Sequence, residues 1–273
     1  MFPSEPLSFA DAAVFETFVV PRYLKFFGDL VEEMVLAAPG ARVAHLGCRT
    51  GYPDWELCRR IGEASAYGVD PSEFALELAR NKVSAEGGAP IEYLQADAVP
   101  TPLPSGMFSH VVCLHPVVQP KDRGQLFAEM SRLLYLRGQA LIAMPLRGSF
   151  QEIGDLLREY ALKYDDGTFG RLVEEAMISR PTLESISDEL ELAGLEDVDV
   201  EVRQTILAFD SGRALIEDPV CRLLVMPEIR ASLDDVDFNP AIAYLKDAVD
   251  RYWSETQFEL TVNIGCASAR RSG

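Results

Sequence analysis

The segment from Val43 to Gly51, which reads VAHLGCRTG, constrains the fold of this chain more than any other. An apolar strand leads directly into a turn that contains Gly47 and Gly51, and a helical pattern follows from Asp54. A strand that ends in a glycine-containing turn before a helix is the usual way in which an open parallel sheet holds a nucleotide-like ligand. The segment therefore predicts a βα unit whose turn binds a ligand.

Apolar strands and helices alternate along the first half of the chain, a pattern typical of a doubly wound parallel sheet. The predicted strands cover residues 42–46, 66–70, 91–95, 109–114 and 139–144. Helical spacing of apolar residues predicts N-terminal helices that Pro21 interrupts, a helix capped by Ser72, and a turn at 136–138 before the fifth strand. Beyond residue 148 the pattern predicts mostly helices, with one strand at 198–209 and a last strand at 258–267.

The net charge of −18 argues against nucleic acids and anionic membranes as partners, because both select basic patches. The charge is uneven, since residues 151–255 contain 25 acidic and 10 basic side chains. Such an excess of acid serves solubility in most proteins. A basic partner or substrate is the alternative interpretation.

Five cysteines without a CxxC spacing give no basis for a disulfide framework or a structural zinc site. The first residues, Met1 to Glu5, have no basic region and no apolar run after them, so no signal peptide is predicted. No uncharged apolar stretch is long enough to span a bilayer. These features together predict a cytoplasmic protein.

The glycine turn and the order of the elements resemble the class I S-adenosylmethionine-dependent methyltransferases. The first motif of that family reads acidic-x-Gly-x-Gly-x-Gly, and here His45 stands in the acidic position and Arg49 in that of the middle glycine. Residues 133–139, LLYLRGQ, also resemble the Leu-x-Pro-Gly-Gly turn that precedes the family's fifth strand. The resemblance covers roughly residues 20–270.

The resemblance implies a single α/β domain with a Rossmann-like methyltransferase fold. Its sheet is doubly wound, mostly parallel and seven-stranded, and the antiparallel last strand pairs between the fifth and sixth. The implied segments are N-terminal helices at 9–37, a cofactor-binding core at 40–147, helical cover at 148–196 and 212–256, and the last two strands at 197–211 and 257–269.

The family's cofactor, S-adenosylmethionine, would bind at the first motif and at the ends of the next strands. By the resemblance, Gly47 and Gly51 let the backbone approach the methionine part, and the carboxylate of Asp70 accepts both ribose hydroxyls. The alternatives are an ordinary strand-to-helix turn and an acid that caps the following helix. The implied cofactor-binding residues are His45, Gly47, Cys48, Arg49, Gly51, Asp70, Asp97, Ala98 and Cys113.

Asp97 would accept the exocyclic amine of adenine and Ala98 would donate its backbone N–H to the ring, unless Asp97 is simply a solvated loop acid. Cys113 and His115 end the fourth strand, where the family places groups that face the methyl group and the substrate. His115 is the candidate general base. We predict no metal site, because His45 and His115 at one sheet edge have no third ligand with supporting spacing.

His45 and Arg49 change the chemistry of the first motif. A neutral imidazole keeps hydrogen bonding but loses the attraction of a carboxylate for the cofactor ammonium. The guanidinium of Arg49 has three possible placements: it fills the methionine subsite, points outward, or binds the cofactor carboxylate. The cofactor is therefore either held by an altered turn or lost.

The leading functional hypothesis is methyl transfer to a small-molecule acceptor. Aromatic residues of the helical cover would shape the acceptor pocket, although packing of helices on the sheet is their alternative role: Phe150, Tyr160, Tyr164, Phe169, Tyr244, Tyr252 and Trp253. A second hypothesis is a catalytically inactive methyltransferase-like module that binds a protein partner. A nicotinamide-dependent oxidoreductase is a third, and it fits the final strands poorly. The sequence assigns neither the acceptor nor an oligomeric state.

Overall fold

A computed structural model describes residues 6–62, 64–86, 90–233 and 237–273. The segment Met1 to Glu5, for which no signal peptide is predicted, lies outside the described residues, as do residues 234–236 of the predicted helical cover. Among the residues that are described, no helix has the length and apolarity needed to cross a membrane.

The chain divides into two compact units. The first, called the core unit below, comprises residues 1–144, 183–201 and 265–273. The second unit comprises residues 145–182 and 202–264. The expectation that the chain is one domain stays a prediction, and each unit is described separately.

Seven strands form one sheet in the order β3-β2-β1-β4-β5-β7-β6. Their bounds are β1 Arg42–Leu46, β2 Ser65–Asp70, β3 Ile91–Gln95, β4 Phe108–Leu114, β5 Leu134–Pro145, β6 Leu195–Phe209 and β7 Phe258–Arg271. The first five strands pair in parallel, and β7 is antiparallel between β5 and β6. The predicted fold class and the place of the last strand are confirmed.

The helices follow the strands much as the apolar spacing predicts. In the core unit they are α1 Phe9–Val14, α2 Lys25–Met34, α3 Asp54–Ile61, α4 Glu73–Ala85, α5 Arg123–Leu133 and α8 Leu183–Leu192, with a π-helical segment Phe15–Leu24 and a 3₁₀ turn Pro120–Asp122. In the second unit they are α6 Gln151–Lys163, α7 Gly167–Ile178, α9 Gly212–Glu217, α10 Met226–Ala231 and α11 Asn239–Tyr252, with a π-helical segment Cys221–Val225.

The central strands are buried along their length because helices cover both faces of a doubly wound sheet. All seven residues of β4 are buried, which explains its nearly uninterrupted apolar sequence. Apolar residues of β4 and β5 pack with Phe127 and Met130 of α5 and Ile186 of α8 in one cluster of the core unit. This packing fixes the carboxyl ends of β1, β2 and β4, where the candidate site residues lie.

Two local predictions differ from the structure. Pro21 does not interrupt the N-terminal helix; it lies inside the π-helical segment. The predicted turn at 136–138 is part of β5, where Arg137 adopts a φ of +66° and the register against β4 shifts between Phe108 and His110. Wider π-helical turns and β-bulges each accommodate a residue that breaks the regular hydrogen-bond ladder, so the elements continue where local propensity predicts an end.

Candidate functional site

The glycine-rich turn between β1 and α3 is held against the end of β2. The backbone N–H groups of Gly47 and Cys48 both donate to the carbonyl of Val69, at 2.8 and 3.1 Å. The N–H of Gly51 donates to the carbonyl of Cys48 at 2.8 Å and closes the turn. The turn is therefore a rigid continuation of the sheet edge.

The two glycines of this turn are needed for different reasons. Gly47 has a φ of +67°, and a Cβ placed there would meet none of the described atoms within 4 Å. Gly51 has a φ of +77°, and its Cβ would lie 2.4 Å from Oη of Tyr93. Gly47 thus borders open space in which a ligand can approach the backbone, whereas Gly51 makes room for the Tyr93 side chain.

Asp70 ends β2 beside the turn and is only 5% exposed. Its Oδ2 accepts the backbone N–H of Arg49 at 3.0 Å, and its Oδ1 accepts that of Ser72 at 2.9 Å. Burial raises the pKa of Asp70, while the two N–H groups and the charge of Arg49 act in the opposite direction. The following helix is capped by Ser72, as predicted, so Asp70 supports the start of that segment and also faces the turn.

Asp97 and Ala98 follow β3 at the same edge of the sheet. The N–H of the neighbouring Ala96 donates to the carbonyl of Asp70 at 3.1 Å, which joins the ends of β2 and β3. Asp97 is exposed, and Ala98 packs against the apolar cluster of the core unit. Their roles toward adenine stay predictions.

Cys48 and Cys113 are buried in apolar surroundings. Cys48 packs with Leu76 and Tyr93, and Cys113 lies in the apolar cluster of the core unit. Burial raises the pKa of both thiols, that of Cys113 to about 12. Both side chains are therefore neutral near pH 7 and behave as small apolar groups.

His45 is paired with an acid that the sequence analysis did not single out. Its Nδ1 lies 2.7 Å from Oδ1 of Asp54, the first residue of α3, and both side chains are buried. Its Nε2 is buried and has no hydrogen-bond partner among the described residues. An acid nine residues after a buried histidine, at the start of the next helix, was the available sequence signal. A carboxylate thus lies beside residue 45, although it belongs to residue 54.

The side chain of Arg49 points inward, along the ends of β1 and β4. Its Nη2 donates to the carbonyl of His115 at 3.0 Å, and its guanidinium lies 5.2 Å from the centre of the Phe15 ring. Its Nη1 is buried without a hydrogen-bond partner in the part of the chain that the structure describes. Burial lowers the pKa of Arg49, and the charge of Asp70 opposes that effect. Of the three placements considered for Arg49, the outward one does not occur.

His115 follows β4 in a left-handed conformation, with a φ of +43°. Its side chain is buried, and its Nε2 lies 2.9 Å from Oη of Tyr23 in the N-terminal π-helical segment. The rings of Tyr23 and Phe27 pack on the imidazole at 5.4 and 5.2 Å between centroids. Sequence reasoning missed Tyr23, because nothing local connects residue 23 with residue 115. The candidate base is therefore one member of a buried Tyr–His pair.

The third histidine, His110, has a structural role inside β4. Its Nδ1 contacts Oγ of Ser109 at 2.8 Å and its Nε2 contacts the carbonyl of Leu36 at 3.0 Å. Burial lowers its pKa. No cluster of three or more potential metal ligands (His, Cys, Asp or Glu) occurs among the residues described.

The second unit contains the aromatic residues of the predicted cover. Tyr160 contacts Tyr164, Phe169 and Tyr244, with ring centroids 4.9 to 5.6 Å apart. The hydroxyl of Tyr244 donates to Oε1 of Glu159 at 2.6 Å, and that of Tyr252 donates to the same oxygen. Most of this aromatic surface is used for packing within the unit. Its part in an acceptor pocket stays a prediction.

The fold and the turn match those of methyltransferases. Residues 43–138 match the family model described as a methyltransferase domain, and this match includes the glycine turn, Asp70 and β1 to β4. This match, together with the relatives and solved structures that resemble the chain, supports the predicted class I S-adenosylmethionine-dependent methyltransferase family, whose cofactor is S-adenosylmethionine. The predictions of family and cofactor are confirmed.

Its relatives are methyltransferases of distant sequence. Methyltransferase GfsG of Streptomyces halstedii is 28% identical over 176 residues, a match that covers 61% of this chain and only 62% of the relative. Demethylmenaquinone methyltransferase of Thermus thermophilus is 26% identical over 211 residues, covering 70% of this chain and 93% of the relative.

Among solved structures, phosphoethanolamine N-methyltransferase 2 of Haemonchus contortus, in complex with phosphomonomethylethanolamine and S-adenosylhomocysteine, has the same fold. The TM-score is 0.56 at 19% identity, and the match covers 97% of this chain and 57% of that one.

Proposed function

We propose that this protein transfers the methyl group of S-adenosylmethionine to a small-molecule acceptor. The observation that carries the proposal is the open space at Gly47 next to the carboxylate of Asp70, at the carboxyl ends of adjacent parallel strands. Ligands of doubly wound sheets bind at this edge.

The residues present fit the cofactor. Each oxygen of Asp70 accepts one backbone N–H and keeps acceptor capacity, because an ionised carboxylate offers about four lone-pair sites. Asp70 would accept the ribose hydroxyls, Asp97 and Ala98 would contact adenine, and Gly47 would adjoin the methionine part. When bound, the cofactor supplies an electrophilic methyl group on its sulfonium.

The acceptor side of the site would be formed around the Tyr23–His115 pair. Methyl transfer depends mainly on in-line positioning of the acceptor, so the protein has to orient the acceptor and exclude water. In this proposal the contact between Tyr23 Oη and His115 Nε2, both of which are buried, would serve as the route for the proton of an oxygen or nitrogen nucleophile. Tyr23 would face the acceptor, and His115 would take up the proton.

The relatives support a small-molecule acceptor rather than a macromolecule. One of them is named for demethylmenaquinone, and the Haemonchus structure contains phosphomonomethylethanolamine. The net charge of −18 also makes nucleic acid an unfavourable acceptor.

Titration calorimetry with S-adenosylmethionine and S-adenosylhomocysteine, followed by an acceptor screen with labelled methyl groups, tests the proposal. Asp70→Asn should weaken both ligands by about tenfold or more, since an amide offers fewer acceptor sites to the ribose hydroxyls. Asp188→Asn, at an exposed position of α8, is the matched control and should bind as the wild type does. A folded protein that binds neither ligand at millimolar concentration would refute the proposal.

The inactive, partner-binding module remains the second candidate, favoured by the inward side chain of Arg49. If Arg49 obstructs the site, Arg49→Gly will gain affinity for S-adenosylhomocysteine that the wild type lacks. A variant that binds no better than the wild type would remove this steric explanation.

A further inference from the structure

The backbone of the glycine turn has few donors left for a ligand. The N–H groups of Gly47 and Cys48 donate to Val69, that of Arg49 donates to Asp70, and that of Gly51 donates to Cys48. The protein itself therefore occupies four of the five N–H groups between residues 47 and 51. Recognition of a polar ligand group at this turn has to come mainly from side chains.

Buried polar atoms that lack hydrogen-bond partners among the described residues belong to three side chains of the motif. They are Oγ1 of Thr50 and, in the two residues that depart from the family motif, Nε2 of His45 and Nη1 of Arg49. A buried polar atom without a partner is costly, so each such atom in a native protein needs an explanation. Arg49 is also held at a φ of +48°, a conformation that non-glycine residues adopt rarely and often at ligand sites. Both observations point to a ligand that completes the bonding of these two residues.

The chemistry of the two atoms is complementary. Nδ1 of His45 lies 2.7 Å from Oδ1 of Asp54. In the tautomer whose Nδ1–H donates to that carboxylate, Nε2 is an acceptor. Nη1 of Arg49 is a donor only, and guanidinium groups bind carboxylates strongly. An α-amino acid can satisfy both atoms, because its ammonium can donate to Nε2 and its carboxylate can accept from Nη1.

We infer that Arg49 binds the carboxylate, and His45 the ammonium, of the amino-acid end of the cofactor. The inference rests on the proposed function and adds two specificity-determining residues to it. The first motif thus uses a histidine–arginine pair in place of its acid and middle glycine.

The test compares two ligands that differ in their amino-acid end. S-adenosylhomocysteine contains that end, whereas 5′-methylthioadenosine has the same adenosine and thioether without it. Titration calorimetry on the full chain should show that Arg49→Met weakens S-adenosylhomocysteine by about 10- to 100-fold, the loss of a charge-assisted hydrogen bond. The affinity for 5′-methylthioadenosine should stay within about twofold, because nothing in it contacts Arg49.

Arg60→Met, at an exposed position in the last turn of α3, removes the same charge and should leave both affinities unchanged. Arg49→Lys keeps a hydrogen-bond donor but lacks the planar, two-pronged guanidinium. Its affinity for S-adenosylhomocysteine should therefore lie between those of the wild type and Arg49→Met. This variant replaces Arg49→Met in the test if the methionine variant does not fold. The deaminated analogue of S-adenosylhomocysteine should remain sensitive to Arg49→Met, since it keeps the carboxylate.

Equal weakening of both ligands by Arg49→Met, or tighter binding of S-adenosylhomocysteine, would overturn the inference and leave the proposed function intact. Failure of the folded wild type to bind either ligand would overturn both.

Discussion

At the scale of single residues, the altered first motif is internally compensated. His45 replaces an acid, and Asp54 brings a carboxylate back to it at 2.7 Å. Arg49 replaces a glycine, and its guanidinium finds the carbonyl of His115 and the ring of Phe15. The substituted residues are therefore built into the core unit rather than merely tolerated by it.

Replacing His45 by the acid of the family motif should destabilise this protein. His45→Asp would place a second buried carboxylate beside Asp54, so we expect a loss of about 3–5 kcal/mol in the free energy of unfolding. Two such carboxylates share a proton, which raises a folded-state pKa above its unfolded value. The deficit should therefore shrink as the pH falls and grow as it rises. Chemical denaturation between pH 4 and 8 measures it, with His45→Gln as the uncharged control; a pH-independent deficit would contradict the explanation.

The raised pKa of Asp70 predicts the pH dependence of cofactor binding. Ribose hydroxyls need the ionised carboxylate as acceptor, so affinity for S-adenosylhomocysteine should fall as the pH drops through that pKa. Because burial raises it, the fall should begin above the ordinary aspartate value of about 3.9. The affinity of Asp70→Asn should be flat over the same range; parallel profiles of wild type and variant would assign the titration to another group.

Some side-chain contacts of the candidate site could not be predicted from the sequence. Asp70, Ser72 and Gly47 follow from local pattern, because strand ends and caps are local. The contacts of Tyr23 with His115, and of Arg49 with Phe15, join residues 92 and 34 positions apart. Such contacts depend on how side chains pack in three dimensions, which spacing alone does not contain.

At the scale of elements, the strands were predicted well because burial on both faces makes them apolar runs. β3 has the predicted bounds 91–95, and β1 has the predicted bounds 42–46. The ends of helices and strands were harder to predict where an element continues through a local irregularity. Gly138 within β5 and Pro21 within the π-helical segment are both residues whose intrinsic preference argues for an end.

The glycine turn offers a matched pair of substitutions. Gly47→Ala should lower the free energy of unfolding by about 1–2 kcal/mol, because residue 47 has a left-handed backbone conformation. It should also markedly weaken the binding of S-adenosylhomocysteine, because the added methyl group enters the open space. Gly51→Ala carries the same strain and also meets Tyr93, so a loss of about 2–5 kcal/mol is expected. Thermal unfolding and calorimetry separate the two effects. Tyr93→Phe should partly rescue Gly51→Ala; no rescue would mean that the clash is not with the hydroxyl.

At the scale of the whole molecule, the resemblance to the methyltransferase family predicted the insertion of β7 between β5 and β6. The division into two units was not predicted. Its boundaries lie at residues 145, 183, 202 and 265. They depend on the density of packing between distant segments, which no local pattern records.

The net charge of −18 predicts how the protein responds to salt. Like charges repel one another across a compact molecule, and salt screens that repulsion. The midpoint of thermal unfolding should therefore rise between low and moderate sodium chloride concentrations. A falling midpoint would mean that ion pairs such as Arg123 with Glu189 outweigh the general repulsion.

The insertion of β7 between β5 and β6 has a consequence for synthesis of the chain. β7, residues 258–271, is synthesised after β5 and β6, the two strands with which it pairs. The edges of β5 and β6 that pair with β7 therefore stay unpaired while α9 to α11 are translated. Unpaired strand edges invite pairing with other chains. We therefore expect the nascent protein to be prone to aggregation until β7 pairs with β5 and β6.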